Sequence, residues 1–390
     1  MKNLELYLHV PFCVQKCAYC DFLSAAADRA AQSRYIDGML QEINQYRDSC
    51  KDYQVSTIFI GGGTPSMLLG GDIHRIFFSL RQSFAISKDA EITIEANPGT
   101  VTDEKLTAWQ ESGVNRLSIG LQSADNRELQ LLGRIHTFEQ FQETYEKARK
   151  AGFHNINIDL MAGIPGQTLN SYEQTLEAVT ALEPEHISAY SLIVEAGTMF
   201  GDIYQNGREL RVDHKGGNSG YPPLPDEETD RLMYERTEAV LKKQGYLRYE
   251  ISNYARPGYE CRHNLGYWER EEYLGIGLGA SSLIDNTRFK QVTDLETYIH
   301  NMKQGKMAAV EIEKLTLADQ MAEFMFLGLR KMAGVSAKKF FQYFSQDIYA
   351  VYESPLSKLK KAGLIEISDD SIRLTNRGID ISNYVFAEFL

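Results

Sequence analysis

The sequence predicts an α/β fold: an open, partial (β/α)6 TIM-like barrel followed by a small C-terminal winged-helix-type domain of helices and a hairpin. Three observations predict it. Between residues 4 and 192, six short apolar strands alternate with amphipathic helices, which implies parallel strands joined by right-handed crossovers. Most of these strands end in polar residues or glycine, where barrel strands present groups to ligands. From about residue 310 the pattern changes to helices followed by a short hairpin. Six units are too few for a closed barrel of eight units, so the barrel is expected to be open.

The first strand alternates Leu4, Leu6, Leu8 and Val10 and stops at Pro11, which donates no ladder hydrogen bond. A helix is expected over 28–48, where Tyr35, Ile36, Met39, Leu40, Ile43 and Tyr46 recur at helical spacing. The strand at 55–60 runs into Gly61-Gly62-Gly63-Thr64-Pro65-Ser66. A strand feeding glycines means close backbone approach or dihedrals other residues avoid, and no Gly-Lys-Ser/Thr follows to make a phosphate loop. Helices at 70–84, 102–112, 137–151 and 169–182 then alternate with strands at 91–96, 116–120, 156–160 and 186–192.

Residues 1–200 thus form the barrel core. Residues 201–228, with Gly216-Gly217-Asn218-Ser219-Gly220 and Pro222-Pro223-Leu224-Pro225, read as an exposed loop. Residues 229–308 form an extension that opens with a helix. Residues 309–390 form the last domain, with helices near 316–332, 336–344 and 354–362 and a hairpin around Asp369-Asp370. In an acidic chain that module reads as a packing lid, not a DNA reader.

The 41 Lys and Arg against 53 Asp and Glu give a net charge of -12, which argues against a general nucleic-acid surface. The amino terminus runs straight into a strand with no secretory signal pattern, and no apolar run approaches the roughly 18 residues a bilayer span needs. The expected location is the cytoplasm. The 22 Tyr and 18 Phe suffice to line a flat apolar pocket, although most of them are expected to pack the core.

Three of the five cysteines, Cys13, Cys17 and Cys20, lie within eight residues in a C-x3-C-x2-C spacing directly after the first strand. An iron–sulfur cube takes four thiolates, so three leave one iron open for chemistry. The rival is a structural zinc with His9 or Asp21 as fourth ligand, but the second knuckle that such sites carry is absent. The barrel strand ends offer Glu95, Gln122 and Asp159, with Arg134 after the fourth strand. Buried charges need partners or ligands; the plain alternative is a Glu95–Arg134 ion pair that seals the barrel mouth. Further on, His263-Asn264-Leu265-Gly266-Tyr267-Trp268 sets an imidazole near two rings, a composition suited to an axial haem ligand and a ring-lined face. A hydrogen-bonded structural histidine is the simpler reading of composition alone, and Cys261 is a rival axial ligand.

Together, His-Val-Pro-Phe-Cys-x3-Cys-x2-Cys-Asp-Phe at 9–22, Gly-Gly-Gly-Thr-Pro-Ser at 61–66 and His-Asn-x2-Tyr-Trp at 263–268 resemble the coproporphyrinogen-dehydrogenase-like branch of the radical S-adenosylmethionine (SAM) superfamily. The resemblance covers nearly the whole chain. It implies a [4Fe-4S] cluster on Cys13, Cys17 and Cys20. It implies SAM contacts at Tyr7, Tyr19, Gly62, Gly63, Thr64, Glu95, Gln122, Arg134 and Asp159. It also implies haem, carried as cargo, at His263, Asn264, Tyr267 and Trp268.

Two departures separate the chain from the dehydrogenase. Phe22 stands where that enzyme has a further cysteine, and only six residues precede Tyr7. They favour a haem-binding chaperone that passes haem to respiratory or other haem proteins. The alternative is an oxygen-independent coproporphyrinogen III dehydrogenase that converts propionates to vinyl groups by radical oxidative decarboxylation. The resemblance leaves open whether SAM is cleaved. Cleavage would require an electron donor such as flavodoxin or ferredoxin, and dimerisation is compatible with either reading.

Overall fold

The computed structural model of the protein describes residues 1–205, 221–307 and 309–390. Six parallel strands form the core of a 12-stranded sheet: β1 (Lys2–Val10), β2 (Tyr53–Gly62), β3 (Ala85–Ala96), β4 (Arg116–Gln122), β5 (Ile156–Ala162) and β6 (His186–Ser191). The crossovers carry α1 (Arg29–Gln45), α2 (Gly70–Ser83), α3 (Asp103–Glu111), α4 (Asn126–Leu131), α5 (Phe138–Lys150) and α6 (Leu169–Thr180). Side chains of Asp28, Thr102, Thr137 and Thr168 accept backbone N–H groups at the starts of α1, α3, α5 and α6, which is why those helices begin there.

Strand alternation separates two environments. Leu4, Leu6, Leu8 and Val10 of β1 are fully buried in the large apolar core, each worth about 1.5–3 kcal/mol. The intervening Glu5, Tyr7 and His9 belong to the opposite, polar face. The same face carries Thr57 and Phe59 of β2, Glu91 and Glu95 of β3, Arg116 and Ser118 of β4, Asn157 and Asp159 of β5, and His186 of β6. Hydrogen bonds knit it together: Asn157 donates to Ser118 Oγ at 2.8 Å and to Asp159 at 2.7 Å, while its carbonyl oxygen lies 2.6 Å from His186 Nδ1.

The extension does more than follow the barrel; it lengthens the sheet at both edges. After α7 (Glu227–Lys243), β7 (Leu247–Arg248) and β8 (Asn253–Ala255) add antiparallel beyond β6. Then α8 (Arg262–Trp268) leads to β9 (Tyr273–Ile276), which pairs parallel with β1, and to β10 (Ser281–Ile284) and β11 (Thr287–Gln291). Helix α9 (Leu295–Lys303) packs on α1, and β12 (Ala309–Lys314) closes that edge.

The last domain contains α10 (Leu317–Gly328), β13 (Val335–Ser336), α11 (Ala337–Phe344), α12 (Ile348–Val351), α13 (Glu353–Lys361), β14 (Ile365–Ile367), β15 (Ser371–Leu374), α14 (Asn376–Asp380) and α15 (Ser382–Ala387) around its own apolar cluster. The expected hairpin is β14–β15; β13 is a third strand paired to β15.

The expected exposed loop at 201–228 is only partly within the described residues, and its glycine run lies outside them. Its described flanks pack: Tyr204 and Tyr221 meet the buried ring of Phe200 edge-on, beside Ala18, Leu132 and Ile164. Burying those rings is what draws the flanks onto the barrel. Among the described residues no helix is long and apolar enough to cross a membrane.

Candidate functional site

Two adjoining cavities share Lys16 and Phe22 in their walls, and the smaller lies at the carboxyl ends of the strands. The smaller, about 130 Å3, gathers Cys13, Cys17, Cys20, Tyr19, Gly62, Gly63, Thr64, Glu95, Gln122, Arg134 and Asp159. These residues come from the cysteine loop, the ends of β2 to β5 and the segment after α4, so the barrel collects what the sequence scatters over 147 positions, from 13 to 159. Tyr7 lines the larger cavity instead.

The glycines at the end of β2 are required by close approach. Gly62 has φ 112°, and a Cβ there would stand 2.6 Å from the His9 ring. A Cβ on Gly63 would stand 2.7 Å from the Phe12 carbonyl oxygen, and the Gly63 N–H donates to Val10 O at 2.8 Å. The glycine run therefore presses directly on the cysteine loop. His9 ties that loop down from inside, with Nδ1 3.0 Å from the Tyr7 hydroxyl and Nε2 2.8 Å from Leu23 O.

The thiols have donors around them. Thr64 Oγ1 donates to Cys13 Sγ at 3.5 Å and Arg134 Nη1 to Cys17 Sγ at 3.8 Å. Burial pushes the Cys20 thiol up to about 11, a cost that ligation of a metal would offset. None of the five cysteines is in a disulfide. Among the described residues no three metal-ligating side chains close tightly enough to hold a single ion. The three thiols instead border one cavity beside cationic Arg134, a donor set that would fit a multi-iron cluster and supply one thiolate fewer than its four irons take.

The rest of the cavity complements a zwitterion. Glu95 accepts the Gly62 N–H at 3.1 Å, and burial, followed by the nearby Asp159 charge, lifts its carboxyl to about 8. A bound ammonium would favour the ionised form. Arg134 makes no ion pair with Glu95 among the described residues. It donates through Nη2 to Asn97 Oδ1 at 2.8 Å and Gly120 O at 2.5 Å, while its buried Nε has no partner. A carboxylate of the ligand would supply one. Asp159 accepts from Ser118 and Asn157, and burial raises its carboxyl. Gln122 ends β4 with φ 76°, a left-handed conformation that costs a non-glycine residue about 1 kcal/mol and is typical of ligand sites. An amino-acid-bearing cofactor such as SAM fits these charges.

Sequence reasoning missed Asn97. Its Nδ2 donates to Thr64 Oγ1 at 2.8 Å while its carbonyl receives Arg134, so it joins the glycine motif to the arginine. The signal was its place at the end of β3, two residues after Glu95.

The larger cavity, about 760 Å3, has Tyr7, Tyr267 and Tyr273 among its rings. Tyr267 belongs to α8, and the structure shows where that motif stands. His263 is 1% exposed, inside the polar face of the barrel, stacked on Phe59 with centroids 5.2 Å apart. Its Nδ1 lies 2.7 Å from Thr57 Oγ1 and its Nε2 3.1 Å from the Tyr267 hydroxyl. Burial, then the Arg116 charge, lowers its pKa to about 3. His263 and Tyr267 are thus brought together, with the histidine one ring behind the cavity wall. Asn264 is half-buried, and Trp268 turns to the last domain, its ring 4.4 Å from the Arg330 guanidinium carbon. Cys261 is fully buried and donates to Glu91 at 3.6 Å.

Known proteins share this architecture. Residues 7–179 match the Radical SAM superfamily and residues 315–381 the HemN C-terminal domain. The haem chaperone HemW of Bacillus subtilis is 37% identical over 385 residues, covering 98% of each chain. That of Lactococcus lactis is 35% identical over 389 residues, covering 100% of this chain and 98% of its own. The coproporphyrinogen III oxidase HemN of Escherichia coli superposes with a TM-score of 0.84 at 24% identity, over 100% of this chain and 90% of that one, a likeness of fold. Likeness to HemW from end to end, with the cysteine loop and glycine motif inside the superfamily match, shows that the chain belongs to the HemW family of the radical SAM superfamily.

Proposed function

We propose that the chain is a [4Fe-4S]- and SAM-binding haem chaperone that binds haem and transfers it to haem-dependent proteins. The full-length likeness to curated haem chaperones supports this reading. The observation that carries it in the structure is the placement of Tyr267. This ring of the His-Asn-x2-Tyr-Trp helix is at once the wall of the 760 Å3 cavity and the partner of His263 Nε2. A cavity of that size with tyrosine rings and cationic side chains suits a flat ligand bearing carboxylates. For His263 to ligate haem iron, Tyr267 must release Nε2.

In this reading Cys13, Cys17 and Cys20 hold the cluster. Glu95 receives the SAM ammonium, Arg134 its carboxylate and Asp159 its ribose. The cluster would supply one-electron reduction of SAM, drawn from a donor such as flavodoxin or ferredoxin. The three thiols suit a reducing cytoplasm, and recipients are haem proteins, respiratory ones among them.

The test is an anaerobic haem titration of cluster-reconstituted protein, followed by absorption, with His263→Ala alongside. Saturable one-to-one binding lost in the variant is expected. Unchanged binding in the variant overturns His263 as ligand, and no saturable binding in the native chain overturns the chaperone. The complete SAM-binding set favours a second reading, oxidative decarboxylation of coproporphyrinogen III, which fails if the reduced holoprotein leaves that substrate unchanged.

A further inference from the structure

The larger cavity has a cationic pole. Among the described residues, Lys16, Arg270, Arg288 and Lys290 border it against a single lining acid, Asp21, in a chain whose net charge is -12. Two of these cations already hold a carboxylate. Glu323 of α10, its side chain 5% exposed, accepts Arg270 Nε at 2.7 Å through one oxygen and Arg288 Nη2 at 2.6 Å through the other. Arg270 also donates to Asn286 Oδ1 at 2.9 Å. One carboxylate thus bridges two guanidiniums at the cavity wall, and it comes from the last domain.

The backbone of Arg270 points the same way. The Glu271 N–H donates to Gly266 O at 2.9 Å and the Arg270 N–H to Tyr267 O at 3.2 Å, the double bond that ends a helix through a left-handed residue. Glycine is usual there, yet Arg270 holds φ 59°. Arg270 terminates α8, so its guanidinium stands at the end of the helix that carries His263.

We propose that Arg270 and Arg288 are the carboxylate-receiving pole of the cavity, and that Glu323 occupies this pole until a propionate-bearing tetrapyrrole displaces it. The proposal rests on the haem-binding reading and adds how the ligand is recognised and how its arrival is signalled to the last domain. Guanidinium pairs recognise carboxylates by paired, charge-assisted hydrogen bonds, and the ligand's propionate would replace the glutamate group for group.

The test uses the full chain with its cluster and iron-free deuteroporphyrin, as the free diacid and as the dimethyl ester, titrated by fluorescence. Without iron, His263 ligation contributes nothing, so the result is separable from the haem titration. The native chain should bind the diacid at least tenfold more tightly than the ester. Arg288→Gln should bring that ratio close to one, and Glu323→Gln should raise it severalfold by removing the competitor. General damage to the fold would weaken both porphyrins together and leave the ratio alone. A native ratio near one, a ratio unmoved in both variants, or no porphyrin binding by the native chain overturns the proposal. Haem binding that fails while the diacid preference holds overturns the chaperone reading only.

Discussion

Gly266 of α8 lies against the side chain of Glu5 on β1: a Cβ built on Gly266 would stand 2.0 Å from Glu5 Oε1. The glycine lets α8 sink into the polar face of the barrel and seats His263 beside Thr57. Gly266→Ala must push the helix out or turn the carboxyl aside. Overpacking of this kind costs about 1–3 kcal/mol. The urea midpoint of the full chain should fall accordingly. An unchanged midpoint would mean that α8 does not pack on Glu5.

The same pair sets a pH dependence. Burial lifts the Glu5 carboxyl from 4.5 to about 9, whereas His263 is lowered from 6.5 to about 3. Their 3.9 Å contact therefore joins two neutral groups at pH 7, not an ion pair. Between pH 4.5 and 9 the folded chain keeps the Glu5 proton that the unfolded chain has lost, so Glu5 makes stability fall as pH rises. The His263 effect has the opposite sign and ends near 6.5. Above that, the pair contributes the Glu5 slope alone, at most about 1.4 kcal/mol per pH unit, on top of the slope of the same sign that Glu95 adds up to about pH 8. Glu5→Gln should make the profile between pH 6.5 and 9 less steep and be the more stable protein at pH 8.5. Parallel urea midpoints for the two proteins across that range would refute the assignment.

What the sequence made legible and what it hid have physical causes. Cys13, Cys17 and Cys20 are close in sequence, and Glu95, Gln122 and Asp159 follow apolar runs that mark their strands. The polar face below them left no trace. Thr57, Glu91, Arg116 and Asn157 are polar residues in buried positions, and alternation of that kind reads as an ordinary half-exposed strand. The pairing of β9 with β1 joins segments more than 260 residues apart, Glu5 with Tyr273, and local periodicity carries no information about it. Strand β3 starts at Ala85, through Ser87, Lys88 and Asp89, where no apolar pattern announces a strand. Arg270 reaches its role only because Glu323 of another domain meets it.

Asn97 offers a test of the smaller cavity that does not touch a thiol. Removing its side chain leaves Thr64 Oγ1 and Arg134 Nη2 each without one partner. Such a loss costs about 1–2 kcal/mol, so SAM binding by Asn97→Ala should weaken about tenfold. Iron and sulfide per chain should match the native protein, since Cys13, Cys17 and Cys20 are untouched. Calorimetric titration with SAM decides it: equal affinity in the two proteins removes Asn97 from the site.

Gly62 tests whether the glycine run and the cysteine loop act as one unit. An alanine there takes a left-handed backbone, at about 1–2 kcal/mol, and drives its methyl into the His9 ring. His9 cannot yield without dropping Tyr7 or Leu23 O, and Leu23 lies three residues beyond Cys20. Gly62→Ala should therefore lower both the melting temperature and the iron bound after reconstitution. Gly71→Ala is the control, because a Cβ at Gly71 in α2 meets nothing within 4 Å and alanine favours a helix over glycine by about 0.5–1 kcal/mol. That variant should be as stable as the native chain or more so, with full iron. Full iron in Gly62→Ala as well would show that the cysteine loop keeps its shape without the glycine beneath it.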